Sequence, residues 1–335
     1  MSLPLPKEVA VGILANPSSG QDIRRLVSQA VTVTSLEKIN VLSRVLAGLE
    51  VMGVRHVLYM RDRQCLVRRA WEQVAPHCEL QAAPVDAPVE GSFQDTLEAT
   101  KAMVRNKVVA LITLGGDGTN RLVARHCGEV PLMPLSTGTN NVFPKMLEGT
   151  RVGMAVGILA ASRHEGLALS ELCSRHKMLR AATEEWEENA LIDLAVSRNP
   201  TLGGRAIWEA DWLERVFVTR ANTGASGLSG IVGAVSEVGP QDKHGAFVTL
   251  GDRFHVKALL TAGVVQPVGI EEIGRLEPGE PQTCFVEEGT LLADGERVRQ
   301  LRRQSVAITL SHEGPWVLDV PKALAHGLRQ GHFRI

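Results

Sequence analysis

Aromatic residues are scarce in this chain: they make up 4% of its 335 residues, and only one is tyrosine. The charges nearly cancel, since 36 Lys and Arg residues face 37 Asp and Glu residues and the formal net charge is -1. Proteins that bind nucleic acid usually carry a basic surface or aromatic side chains on which bases stack. The composition therefore gives no support for a nucleic-acid partner.

Paired cysteines and long apolar segments are also missing. The five cysteines include no C-x-x-C pair, which favours reduced thiols in a cytoplasmic protein. A membrane helix needs about 20 consecutive apolar residues, and the longest candidate, residues 152–161, is much shorter and contains glycines. The apolar run 9–15 lacks a basic segment and a small-residue cleavage site, so it predicts a first strand rather than a signal peptide. We expect no membrane partner.

The length and the pattern of apolar residues predict two domains. In residues 1–165, short apolar runs alternate with segments of helical period, which predicts an α/β domain with a parallel sheet and helices on both faces. In residues 166–320, short β-rich runs are separated by turn signals, which predicts a β-rich domain. Residues 321–335 are expected to form a last helix that packs back on the first domain.

One glycine-rich segment interrupts the β-rich half. Glycines recur every three residues at positions 224, 227, 230 and 233, among small and apolar residues. Either a very closely packed helix or a flexible loop facing a ligand would fit this pattern.

The most informative segment is a glycine turn after the apolar run 108–114. The turn is Gly115-Gly116-Asp117-Gly118-Thr119, and the pattern after it predicts a helix over residues 120–127. Glycines let the backbone approach a ligand closely, and the free N–H groups at a helix start attract phosphate. Asp117 is placed to bind a metal ion or to take a proton from a hydroxyl near the phosphates.

Three loops of the first half share this chemistry: residues 16–20, 115–119 and 136–141. Each follows a predicted strand, so in a parallel sheet all three emerge at the same edge. They offer backbone N–H groups, hydroxyls, amides and one carboxylate, which suits a triphosphate held with Mg²⁺. The chain lacks the G-x-x-x-x-G-K-[ST] loop and the G-x-G-x-x-G fingerprint. Taken alone, each loop also fits an ordinary structural turn.

The glycine turn resembles the signature of the NAD kinase and diacylglycerol kinase superfamily. Residues 16–20 (NPSSG) resemble its first-loop N-P-x-S-G, residues 134–141 its P-x-G-T-x-N loop, and residues 294–296 the D-G-E turn of its lipid-kinase branch. The combination of GGDGTNR with LSTGTNNVFP is most similar to the acetoin-catabolism protein X family, a bacterial NAD-kinase-like branch. The resemblance implies an NAD-kinase-like fold, ATP and Mg²⁺ as cofactors, NAD as a candidate ligand, and a homodimer or higher homo-oligomer.

The resemblance also implies roles for individual residues. Asp117 would be the catalytic base, while Asn120 and Arg121 directly after the turn belong to the same site. Arg121 is an addition to the superfamily pattern and is placed to meet a phosphate or another anion, and a solvated helix residue is an equally good alternative. The other nucleotide-binding residues implied are Asn16, Ser18, Ser19 and Gly20 in the first loop, Gly115, Gly116, Gly118 and Thr119 at the phosphates, and Thr137, Gly138, Thr139 and Asn140 closing the site. No histidine has metal-ligand spacing, so no protein metal site is predicted.

Two departures from the superfamily leave the function open. Lipid kinases continue the turn with x-N-E, whereas Asn120, Arg121 and Leu122 follow here. NAD kinases have an Asn-Glu pair on a strand where this chain has Ile192 and Asp193. The leading hypothesis is an ATP-dependent kinase that phosphorylates a hydroxyl of a small molecule, with NAD as the first candidate. The alternatives are an inactive NAD- or nucleotide-binding regulator of acetoin catabolism, and a lipid kinase of the diacylglycerol type.

Overall fold

The structure is a computed structural model that describes residues 9–19, 33–136, 141–199 and 210–334. Strands within these ranges form two sheets. In chain order the strands are β1 (Ala10–Ala15), β2 (His56–Tyr59), β3 (Gln81–Pro84), β4 (Ala110–Leu114), β5 (Leu132–Leu135), β6 (Cys173–Arg175), β7 (Met178–Ala182), β8 (Glu187–Ala190), β9 (Asp193–Ser197), β10 (Leu213–Val218), β11 (Gly245–Thr261), β12 (Val264–Leu276), β13 (Gln282–Ala293), β14 (Glu296–Ser311) and β15 (Trp316–Leu318). The helices are α1 (Ser35–Val51), α2 (Leu66–Val74), α3 (Phe93–Arg105), α4 (Asp117–Ala124), α5 (Gly149–His164), α6 (Leu228–Gly233) and α7 (Val320–Arg329), with short 3-10 turns at Ala75–His77 and Leu169–Glu171.

The first sheet has the strand order β3-β2-β1-β4-β5-β15-β6. Its strands are parallel except for β6, which runs antiparallel to β15. Side chains of β1 alternate between its two faces: Val11 and Ile13 pack with helices α1, α2, α5 and α7, whereas Leu14 packs with α3 and α4. Because successive strand residues point to opposite faces, this alternation covers both sides of the sheet with helices. The predicted α/β fold class is confirmed.

The second sheet has the order β12-β11-β10-β9-β13-β14-β7-β8 and is antiparallel throughout. Its longest strands form two hairpins, β11–β12 and β13–β14. The second hairpin turns at Asp294 and Gly295, which have φ angles of 50° and 73°. A two-residue turn with both φ positive matches the twist of the flanking strands. This turn projects back towards the first sheet, where it meets α4.

The chain returns to the first sheet from within the range that the sequence assigned to the second domain. Strands β6 and β15 lie in residues 166–320 but pair with each other and with β5. Helix α7 follows at once: the side chain of Asp319 accepts a hydrogen bond from the Lys322 N–H, and Ala323 is buried in the core of the first sheet. These two strands are too short to be distinguished by composition from those of the other sheet.

The glycine-rich segment contains a short, closely packed helix, α6. A Cβ atom on Gly230 would lie 2.5 Å from the carbonyl oxygen of Leu259, and one on Gly233 would lie 2.2 Å from that of Asn222. Only glycine permits such contact, so these two glycines reflect close packing, against β11 at Gly230 and against the segment before the helix at Gly233. No helix among the described residues is long and apolar enough to span a membrane.

Candidate nucleotide-phosphate site

The candidate site lies where three adjacent parallel strands end. Strands β1, β4 and β5 lie side by side, and Asn16, Gly115 and Ser136 follow them directly. The backbone N–H of Asn16 donates to Leu114 at 2.9 Å, and that of Gly115 donates to Leu135 at 3.0 Å. The sheet therefore brings together the beginnings of all three loops that the sequence singled out. Gly20, Thr137, Gly138, Thr139 and Asn140 lie outside the described residues.

The glycines of the turn are required by close approach of neighbouring groups. A Cβ on Gly115 would lie 2.7 Å from the Thr119 side chain, and one on Gly116 would lie 2.8 Å from Oδ1 of Asn141. Helix α4 starts at Asp117 with Gly116 as its N-cap residue, three residues earlier than the sequence predicted. The catalytic-base candidate is thus the first residue of the helix rather than part of a loop.

Polar side chains tie the first loop to the glycine turn and hold the turn itself together. Asn16 Nδ2 donates to Thr119 Oγ1 at 2.9 Å. Thr113 Oγ1 donates to Asn120 Oδ1 at 2.6 Å, and Asn120 Nδ2 donates to the Gly116 carbonyl at 2.9 Å. Asn120 is fully buried, so its side chain holds the turn together rather than facing the cleft. Within the first loop, Ser18 is exposed and Ser19 is buried.

The Asp117 carboxylate accepts hydrogen bonds from the backbone directly after the third loop. Its Oδ1 accepts the N–H of Phe143 at 2.8 Å, and its two oxygens accept the N–H of Val142 at 3.2 and 3.1 Å. The residue therefore fixes the chain after the third loop.

Arg121 is buried at the contact between the two domains. It is 5% exposed, and its guanidinium lies 3.3 Å from the Glu296 carboxylate and 3.7 Å from that of Asp294. Its Nε has no hydrogen-bond acceptor among the described residues. The alternative of a solvated helix residue is therefore wrong. Gly118 contributes to the same contact, because a Cβ there would lie 2.9 Å from the Glu296 carboxylate.

Asp294 and Asp193 form a buried pair of carboxyl groups behind this contact. Asp294 accepts the N–H groups of Leu191, Ile192 and Asp193 at 2.8 to 3.3 Å. Burial raises the pKa of Asp294 to about 7, although Arg121 opposes the shift. Burial, followed by the charges of Asp294 and Asp117, also raises the pKa of Asp193. The pair thus retains a proton in a pH range where exposed carboxyl groups are ionised.

Arg220 supplies a second buried cation on the β-rich side. Its Nη2 lies 3.0 Å from Nδ1 of His176, and its guanidinium stands 5.4 Å from the centre of the Phe143 ring. Burial lowers the pKa of Arg220 to about 10, while Asp117 and Asp294 act to raise it. Because arginine can only donate, His176 accepts through Nδ1 and carries its proton on Nε2. Sequence reasoning missed both residues, since neither lies in a motif.

We expect His176 to make folding stability fall in mild acid. Burial, together with Arg220, lowers the pKa of His176 from 6.5 to about 3, so between these values the unfolded chain binds a proton that the folded chain does not. Stability is then lost as pH falls below about 6.5, by up to about 1.4 kcal/mol per pH unit. Urea unfolding of the wild type and His176→Gln between pH 4 and 8 measures this slope. Equal slopes would refute the assignment, and the exposed His255→Gln variant is the control.

An open cleft of about 730 Å³ runs from this site along the edge of the first sheet. Its walls are formed by the first loop, the start of α4, the segments after β2 and β3, and the beginning of β14. Charged side chains of both signs line it, including Arg61, Arg63, Arg125, Glu188 and Arg297. In the part of the chain that the structure describes, no group of three or more His, Cys, Asp or Glu residues could hold a metal ion.

Replacing Gly115 with alanine should disturb the turn. The new Cβ would lie 2.7 to 2.8 Å from three atoms of Thr119, and the helix backbone prevents that side chain from moving freely. We expect the free energy of unfolding to fall by about 1–3 kcal/mol, as in other overpacked sites. Denaturant unfolding measures the loss. Gly224→Ala is the control, because its nearest neighbour is the Asn222 side chain at 3.3 Å; equal effects would contradict the prediction.

Comparison with known proteins assigns the chain to a family. A family model described as ATP-NAD kinase N-terminal domain matches residues 11–153, and one described as acetoin catabolism protein X C-terminal domain matches residues 177–313. An NAD kinase from Archaeoglobus fulgidus in complex with ATP is a distant structural match, with a TM-score of 0.42 and 12% identity over 83% of this chain and 97% of that one. Acetoin catabolism protein X from Cupriavidus necator is 34% identical over 339 residues, covering 97% of this chain and 94% of that protein. This confirms the resemblance: the chain belongs to the acetoin catabolism protein X family, and its N-terminal part is NAD-kinase-like.

Proposed function

We propose that this protein binds ATP at the three-loop edge of the first sheet and transfers its γ-phosphoryl group to a hydroxyl of a small molecule. The observation that carries the proposal is that three loops begin side by side at the start of α4, with a carboxylate in the first helical turn. Helix starts attract phosphate through their free N–H groups. Phosphoryl transfer depends mainly on positioning and charge stabilisation, which such a site supplies.

The nucleotide would be held by residues of both domains. The first turn of α4 would offer its backbone N–H groups to the phosphates, and Asn16 and Ser18 flank this turn from the first loop. The Nε of Arg121 has no hydrogen-bond acceptor among the described residues and lies 3.7 Å from the Asp294 carboxylate. This supports the fit of an anion nearby, because a buried guanidinium N–H requires an acceptor. Mg²⁺ would be held mainly by the phosphates, as is usual for this ion, and it would neutralise their charge.

Asp117 would align the acceptor hydroxyl and take its proton. It lies in the first turn of α4, next to the proposed phosphate position, and the N–H groups of Val142 and Phe143 fix its orientation. The residues of this chain identify the molecule that would receive the phosphoryl group less clearly. Ile192 is fully buried in an apolar cluster with Phe143 and Val317, so it offers no polar group to a nicotinamide nucleotide. NAD remains the first acceptor to test, but other hydroxyl compounds must be included.

Purified protein with ATP and Mg²⁺ should consume ATP with at least one acceptor from a panel of NAD, NADH, nucleosides, diols and lipid vesicles. The phosphorylated product is identified by mass spectrometry, which separates transfer from ATP hydrolysis. No ATP consumption over the whole panel, despite measurable ATP binding, would contradict the kinase proposal.

A nucleotide-binding regulator without catalysis is the second candidate. Its support is that both Asp117 oxygens already accept backbone N–H groups and that Arg121 is paired with Glu296. This candidate predicts ATP or NAD binding by calorimetry with no turnover, and no effect of Asp117→Asn beyond affinity. The lipid-kinase alternative requires an apolar cleft, and the charged lining of the observed cleft gives it no support.

A further inference from the structure

Lys38 is a fully buried lysine whose ammonium group lies against the first loop. It lies in the first turns of α1, is 1% exposed, and has no motif around it. Its Nζ donates to the carbonyl oxygens of Pro17 and Ser19 at 2.7 Å and to that of Asn16 at 3.2 Å. One side chain thus joins α1 to three residues of the loop that follows β1.

The geometry uses every proton of the ammonium group. A buried ammonium is strongly unfavourable unless its donors are satisfied, and it has three donors. Its three acceptors are the carbonyl oxygens of Asn16, Pro17 and Ser19, so the ammonium group fixes the orientation of the loop backbone at these three residues. The loop so fixed then presents the side chain of Asn16 to Thr119 and leaves Ser18 exposed at the cleft.

We propose that Lys38 is a positioning residue that holds the first loop in the conformation required to bind nucleotide phosphates. This inference rests on the proposed function for the identity of the ligand, while the positioning of the loop can be tested without one. Lys38 contacts no ligand itself, since its ammonium group faces the loop from the side of α1. It acts through Asn16, Pro17 and Ser19.

The proposal predicts that the order of the first loop and the nucleotide affinity depend on pH. Burial lowers the pKa of Lys38 to about 8, and the nearby negative charge of Asp62 opposes this shift. Below this pH the ammonium group donates three charge-assisted hydrogen bonds. As pH rises through about 8, the neutral amine has only two donors and no charge, so the loop should loosen and nucleotide affinity should fall.

The experiment compares Lys38→Met with Lys177→Met. Lys177 is a matched control because it is also buried, donates to two backbone carbonyls, Gly239 and His244, and has its pKa lowered to about 8 by burial. Hydrogen exchange of the Ser18 and Ser19 amides is measured without ligand, because both amides are hydrogen-bonded within the loop. ATP affinity with Mg²⁺ is measured by calorimetry from pH 6.5 to 9.5.

In Lys38→Met we expect the Ser18 and Ser19 amides to exchange at least about tenfold faster, because charged hydrogen bonds that order the loop are lost. ATP affinity should fall by a similar factor and lose its dependence on pH near 8. Lys177→Met should leave the exchange of both amides unchanged. Unchanged exchange in Lys38→Met would overturn the positioning role, whatever the ligand. Absent ATP binding by the wild type would instead refute the nucleotide site and leave the exchange result valid.

If Lys38→Met does not fold, Asp62→Asn tests the same proposal. Removing the Asp62 charge lowers the pKa of Lys38 further, so protection of the Ser18 and Ser19 amides should be lost at a lower pH than in the wild type. An unchanged midpoint would contradict the role of the Lys38 charge.

Discussion

Replacing Asp294 with alanine should lower the free energy of unfolding by about 3–5 kcal/mol, as expected when one partner of a buried charged pair is removed. The side chain accepts the backbone N–H groups of Leu191, Ile192 and Asp193 and lies 3.7 Å from the Arg121 guanidinium. Without it, these donors are buried and unsatisfied, and each such group costs about 1–3 kcal/mol. Denaturant unfolding at constant pH measures the loss.

The variant Asp294→Asn distinguishes the effect of losing the hydrogen-bond acceptor from the effect of losing the negative charge. Asp294→Asn keeps an oxygen for the N–H groups of Leu191 and Ile192, and asparagine tolerates the positive φ of this position better than alanine does. Asp294→Asn should therefore lower the free energy of unfolding clearly less than Asp294→Ala does. The control is Asp252→Ala, whose side chain is fully exposed. If Asp294→Ala loses no more stability than this control, the contacts of Asp294 with these backbone N–H groups and with Arg121 do not stabilise the fold.

The contacts of Asp294 show why the sequence predicted the site only in part. Strand-loop-helix patterns located β1, β4 and β5, and because parallel strands end at one edge, their loops could be placed together. The D-G-E turn of residues 294–296 was found by resemblance alone. Its contacts with Arg121 and Gly118 join residues more than 170 positions apart, and no local pattern encodes such a contact.

Buried polar residues were the least predictable part of the site. Lys38 and Arg121 lie on helices, where a long charged side chain is usually exposed. Their residue types therefore predict that both side chains face the solvent. Their burial depends on a partner from another segment: the first-loop carbonyls for Lys38, and Asp294 with Glu296 for Arg121. Arg220 likewise depends on His176, which precedes it by more than 40 residues.

These partners couple the two domains at the proposed phosphate site. Glu296 is the first residue of β14 in the β-rich sheet, yet it contacts Gly118 and Arg121 of α4. A carboxylate beside a helix start occupies surroundings that also suit a phosphate. A phosphate bound at the proposed site would therefore compete with Glu296 for Arg121.

Asp117→Asn should lower the rate of phosphoryl transfer by about 10²- to 10⁴-fold, the usual contribution of a general base. Asparagine has nearly the same shape but cannot take a proton from the acceptor. The nucleotide phosphates would be bound mainly by the backbone of the turn, so ATP affinity should change only a few-fold. Single-turnover rates and calorimetry, with whichever acceptor supports turnover, separate these two effects.

A structural effect of Asp117→Asn must be distinguished from a chemical one. The asparagine Oδ1 can still accept the Phe143 N–H, but its NH₂ group would face the Val142 N–H, which now donates to both oxygens. A donor facing a donor costs about 1–3 kcal/mol, and urea unfolding will report that loss. Asp242→Asn is the control, because the Asp242 carboxylate also accepts a backbone N–H, from Gly239 at 2.7 Å, in the β-rich domain. Turnover by folded Asp117→Asn at the rate of this control would show that Asp117 only holds the third loop, because a base that transfers the proton cannot be replaced by an amide.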